Sequence, residues 1–216
     1  MSAQYRLHYA PGLANLPIHM MLEEIGADYE LVRVDNKKGE HKSEEYLKLN
    51  PLGRIPVLED GRLAISETAA IMLHLADRHM EARLVPDFTS PERARFYQWL
   101  MYLTNTVQPD FIILNYADRY TTSADGQDAV VEAAQKRLQE HFGFIDAHLA
   151  QKGPFMMGKA FSALDFFLIM LCRFGRNLPS HPRDLPALGQ FCEAVLTRPS
   201  VQRSFEQEGL QDAPLG

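Results

Sequence analysis

Cysteine is nearly absent from this chain: its 216 residues hold two, Cys172 and Cys192. Two are too few for a disulfide framework, and they stand too far apart for a CxxC redox motif. No apolar run is long enough to span a bilayer, and the start, Met1 to Arg6, lacks the apolar core of a signal peptide. No block of like charge is present, and 22 basic against 28 acidic residues leave a net charge of −6. That balance argues against nucleic acid as a partner, because phosphate binding wants basic patches. The eight histidines show no metal-ligand spacing, so no metal site is expected. With neither membrane nor export signal, the simplest expectation is a cytoplasmic protein. What is present is ordinary for a globular chain, 46% hydrophobic and 23% charged, and long enough to bury one large core or two small ones.

Strand and helix signals alternate only in the first part. Leu7 to Tyr9 reads as a strand broken by Ala10-Pro11-Gly12. A helix over Leu16 to Ile25 follows, closed by Gly26. Tyr29 to Val34 alternates as a second strand, and Ser43 to Leu49 is a short helix. The stretch 81–89, with Pro86, reads as a linker between a first domain over 1–80 and a second over 90–216. Beyond it no strand signal remains. Ser90-Pro91 opens a helix predicted to stop at Pro109, and a long helix lies within Asp125 to Leu149. Ser162 with Asp165 forms a capping box before the very apolar Phe166 to Leu171, which reads as a buried helix.

The chemistry concentrates in Asn50-Pro51-Leu52-Gly53-Arg54-Ile55-Pro56-Val57-Leu58 and in Ser66-Glu67-Thr68. Pro56 has no N–H, so it suits the first residue of an edge strand. A cis Ile55–Pro56 bond would leave the N–H and C=O of Ile55 facing outward, where an extended peptide could pair with them. Asp60-Gly61 is a hairpin turn signal, and Ser66 then opens an apolar-periodic helix. An exposed strand edge beside a helix N-terminus suits a small peptide with a free carboxylate.

In order and spacing, Leu7 to Gly12, Asn50 to Pro56 and Glu67-Thr68 resemble the glutathione S-transferase family. The resemblance covers nearly the whole chain. It implies an α/β thioredoxin-like N-terminal domain, an all-α C-terminal domain, glutathione as co-substrate and a homodimer. Glu67 would pair with the γ-glutamyl ammonium, and the hydroxyl and N–H of Thr68 would hold its carboxylate. Ile55, set by Pro56, would pair with the cysteinyl backbone. The glycyl carboxylate needs a cation, for which Lys38, His41, Lys42 and Arg54 are candidates. The family places an apolar co-substrate pocket between its domains, which assigns Leu13, Gln108, Phe111 and Tyr116 to the electrophile.

The turn after the first strand departs from the relatives it most resembles. Tyr9-Ala10-Pro11-Gly12 looks like the start of the bacterial beta class, which continues with alanine, cysteine and serine. Here Leu13-Ala14-Asn15 follows, so Ala14 holds the cysteine position, and Gln108 stands where that class has a histidine. Asn15 is a candidate thiol donor, as in the similar nu class; its other reading is a cap on the first helix. Tyr9 is the second candidate, or else a phenol packed with its hydroxyl paired. The function implied is transferase chemistry, glutathione thiolate attacking a small apolar electrophile in a detoxifying role. The alternatives are a glutathione-dependent disulfide or peroxide reductase, and a non-catalytic binding or scaffold protein.

Overall fold

A computed structural model describes residues 3–216. The described chain divides into two compact units, one of residues 3–85 with 197–214 and one of 86–196 with 215–216.

The first unit is built on a four-stranded sheet of order β2-β1-β3-β4. Strand β1 (Tyr5–Tyr9) runs parallel to β2 (Tyr29–Arg33) and antiparallel to β3 (Val57–Asp60), which pairs with β4 (Leu63–Ser66). Period-two alternation sorts the side chains of β1. Tyr5, Leu7 and Tyr9 share one buried face, while His8 lies on the other, opposite Val57. There Val57 clusters with Val34 and Tyr46, the last on helix α2 (Glu44–Leu49). Helix α1 (Leu16–Glu24) packs against α3 (Thr68–Arg78). Gly26 ends α1 in a Schellman motif: its N–H reaches the Glu23 carbonyl, that of Ala27 reaches Leu22, and its φ of 64° avoids the strain a side chain would bring. Gly61, φ 62°, takes the first position of the two-residue β3–β4 turn.

In the second unit α4 (Glu92–Tyr102) passes through a π-helical turn, Leu103–Val107, directly into α5 (Gln108–Asn115). The helix does not stop at Pro109, as expected. The π turn restarts the hydrogen-bond pattern, so Pro109 falls in the first turn of α5, where no N–H is needed. Helix α6 (Gln127–Lys152) follows, then α7 (Ala163–Phe174), buried at every residue from Ala163 to Arg173. Asp165 completes the capping box: Oδ2 accepts the Ser162 N–H at 2.7 Å, and Oδ1 takes the Met156 N–H at 2.8 Å. Helix α8 (Pro186–Leu196) ends the unit.

The expected second domain, 90–216, is therefore too long at its C-terminal end. Helix α9 (Pro199–Gln207) and the tail to Pro214 belong to the first unit, where α9 packs on α1. Charge holds it there. Arg203 pairs with Glu23, and both Arg198 and Ser200 bond to Glu24.

Candidate functional site

The β1–α1 turn is fastened from two sides. The Thr68 hydroxyl donates to the Ala14 carbonyl at 2.8 Å, joining the turn to the start of α3. From the tail, Glu208 inserts a carboxylate that is fully buried. One oxygen accepts the Gly12 N–H at 2.8 Å; the other accepts both Asn15 Nδ2 and His19 Nδ1, each at 2.8 Å. Asn15 Oδ1 in turn takes the Ala10 N–H at 3.2 Å. Asn15 is thus wholly buried, with its amide given to Glu208, and its side chain makes no cap bond on α1. One N–H of the amide that the sequence offered to a thiolate is held by Glu208.

Other groups on the turn are open. The Ala14 N–H, at the N-terminal end of α1, has no partner among the described residues. Neither does the Tyr9 hydroxyl, and burial, then the nearby Glu208 carboxylate, pushes that phenol above its ordinary range. Leu13 is partly exposed beside them.

The proline loop has the geometry the sequence called for. The Ile55–Pro56 bond is cis, and neither the N–H nor the C=O of Ile55 has a partner among the described residues. The loop is braced from behind. The Arg54 carbonyl accepts both the Tyr46 hydroxyl, at 2.9 Å, and Asn50 Nδ2, at 2.8 Å. Asn50 Oδ1 holds the Leu52 N–H. Lys42 donates to the Leu52 carbonyl at 3.0 Å, and a Cβ on Gly53 would lie 2.7 Å from the His41 carbonyl. His41, Lys42 and Arg54 are therefore gathered around one turn, with a buried, unpartnered His41 Nδ1 among them. Lys38 instead pairs with Asp35 at 3.4 Å.

At the start of α3, Glu67 is exposed and holds a φ of 71°, a left-handed conformation that costs a non-glycine residue about 1–3 kcal/mol. Thr68 is buried beside it with its hydroxyl proton spent on Ala14. A carboxylate arriving here would meet the Thr68 N–H rather than that proton.

In the second unit Gln108 is half-buried at the start of α5. Phe111 is a core residue, its ring edge-on to Phe142 and Phe174, and that packing takes up the surface expected to line a pocket. Tyr116 is exposed under the Arg119 guanidinium, 4.0 Å from the ring. Both cysteines are buried. Glu208, His19 and Tyr46 carry the site's scaffolding but stood out in no motif. His19 follows Asn15 by one helical turn, the single sequence signal available.

The chain is similar to known proteins along most of its length. The "Glutathione S-transferase, N-terminal domain" family matches residues 3–77, and the "Glutathione S-transferase, C-terminal domain" family matches 128–194. The chain belongs to the glutathione S-transferase family. It is 29% identical over 209 residues to glutathione S-transferase GstA of Escherichia coli O157:H7, covering 95% of this chain and all of that one. Glutathione S-transferase 1 of Dianthus caryophyllus is 32% identical over 76% of each chain. Among solved structures, a sphingomonad glutathione S-transferase complexed with glutathione superposes with a TM-score of 0.82 at 29% identity, covering 95% of this chain and 99% of that one.

Proposed function

We propose that this chain is a glutathione transferase whose peptide site runs from the Ile55 loop to the start of α3. The free backbone edge of Ile55 carries the reading, since a cysteinyl residue with one N–H and one C=O is its natural complement. Glu67 takes the γ-glutamyl ammonium, and the Thr68 N–H takes the carboxylate at the positive end of the helix. His41, Lys42 and Arg54 supply the positive charge for the glycyl carboxylate. The thiol then lies toward the β1–α1 turn, where the Tyr9 hydroxyl and the Ala14 N–H are the donors that favour its thiolate. Leu13 offers apolar surface to a small electrophile. Catalysis consists of a lowered thiol pKa and orientation of the pair. Both cysteines being buried, the chemistry runs on the thiol of glutathione itself.

We also read the chain as a cytoplasmic homodimer with a detoxifying role. Free thiols suit a reducing compartment. On the second unit Trp99 lies against Phe144 and His148, with Phe144 56% exposed and Met101 43% exposed, an aromatic patch suited to a second copy. Calorimetric titration of reduced glutathione into wild type and Glu67→Ala tests the reading. Binding that is lost in the variant supports the site; absence of binding to wild type overturns it.

A further inference from the structure

We propose that Tyr46 is a positioning residue for glutathione, acting through the Arg54 carbonyl on the backbone of Ile55. Tyr46 is the one buried residue of α2. Its ring is edge-on to His8 at 5.9 Å and packs with Val34 and Val57, so the phenol is fixed by the sheet. From that anchorage the hydroxyl donates to the Arg54 carbonyl at 2.9 Å, the same oxygen that Asn50 Nδ2 holds at 2.8 Å. Two donors from different places on α2 and its C-cap thereby fix the peptide plane joining Arg54 to Ile55. That plane contains the Ile55 N–H. One half of the pairing edge is therefore aimed by a side chain that never meets the ligand. With Asn50 alone the plane could rotate about a single hydrogen bond. With both, it is held at two angles before the peptide arrives, which removes an ordering cost from binding.

The inference rests on the reading that Ile55 pairs with the cysteinyl backbone. Its test uses Tyr46→Phe, which keeps the ring packing and removes only the hydroxyl. Two ligands are titrated into each protein: glutathione, and an analogue whose cysteinyl carbonyl is replaced by an alkene isostere, which cannot accept from the Ile55 N–H. Tyr46→Phe is expected to raise Kd and KM for glutathione by about threefold to tenfold, the worth of one positioning hydrogen bond, with kcat at saturation unchanged. It is expected to cost the analogue much less, because variant and analogue disrupt the same pairing. A glutathione Kd equal to wild type, or an equal loss for both ligands, overturns the positioning role. A thermal midpoint that drops while Kd holds shows a purely structural tyrosine and overturns it too. If wild type binds the analogue as well as glutathione, the Ile55 reading itself fails, visibly and without any variant, and the role of Tyr46 falls with it.

Discussion

The Glu208 carboxylate accepts a 2.8 Å hydrogen bond from the Asn15 amide, 193 residues earlier in the chain, and both side chains are buried. Every group around that carboxylate is a donor: the Gly12 N–H, Asn15 Nδ2 and His19 Nδ1. An ionised carboxylate is acceptor-only, so it satisfies all three, whereas a glutamine would turn an NH₂ against one of them. Glu208→Ala should therefore strand the buried groups it serves, at about 1–3 kcal/mol for each one left unsatisfied. Asn15→Ala should cost about 1–3 kcal/mol through unsatisfied neighbours. Urea unfolding of the two variants checks both, and a loss below 1 kcal/mol for Glu208→Ala would show that the tail merely rests on the turn.

The same tail makes stability depend on acid. Burial alone would raise the Glu23 carboxyl, but hydrogen bonds from Tyr29, Arg203 and Gln207 together hold it below its usual value. A depressed folded-state pKa contributes stability that is complete above the unfolded value, near 4.5, and is lost as pH falls through the folded one. Wild type should lose stability below about pH 4.5 more steeply than Glu23→Gln, which has no proton to take up there. Equal slopes in acid titrations followed by circular dichroism would remove Glu23 from the linkage.

In the second unit the capping box carries a comparable load. Asp165 satisfies the N–H groups of Ser162 and Met156 in a fully buried setting. Asp165→Ala strands both, at about 1–3 kcal/mol each. A midpoint shift in thermal unfolding without change in glutathione affinity is expected, since neither partner belongs to the peptide site.

How much of this was legible in the sequence follows from how local each signal is. The proline loop, the Asp60-Gly61 turn and the Ser162–Asp165 box each lie within a few residues, and the structure forms all three. Pro109 misled because a π turn, which leaves no compositional mark, resets the helix before it. Glu208 was invisible for a different reason. In Glu206-Gln207-Glu208 it reads as one more solvated acid, and only the docking of α9 on α1 buries it. Asn15 was correctly placed at the turn, but its amide answers to that distant carboxylate. Phe111 was singled out by type, yet ring contacts from α6 and α7 made it core.

Glutathione binding should depend on Glu67 more than on any cation near the loop. Glu67 is exposed and held in a strained backbone at the start of α3, so its carboxylate is presented without a competing partner among the described residues. Removing a charge-assisted hydrogen bond from the ammonium should weaken binding about tenfold to a hundredfold in Glu67→Ala. Lys42→Ala, whose ammonium also braces the Leu52 carbonyl, should lose less, and Lys38→Ala, paired with Asp35, should change little. Calorimetry across the three variants ranks them, and a Lys38→Ala loss matching that of Glu67→Ala would move the peptide's charged end elsewhere.

The thiol donor can be separated by pH. Burial and the Glu208 carboxylate raise the Tyr9 phenol, so it stays protonated, and able to donate, across neutral and moderately alkaline pH. A donor to the thiolate lowers the thiol pKa; without it, ionisation moves to higher pH. Tyr9→Phe should therefore cut kcat/KM near neutrality by about tenfold to a hundredfold, with the loss shrinking as pH rises and glutathione affinity kept. The pH profile of conjugation with an activated aryl halide reads this directly. A profile superposing on wild type would leave the Ala14 N–H, at the mouth of α1, as the group that holds the thiolate, and Tyr9 as a packed phenol. Asn15→Ala would then be expected to act on activity only through the turn that Glu208 holds, falling in step with stability rather than with pH.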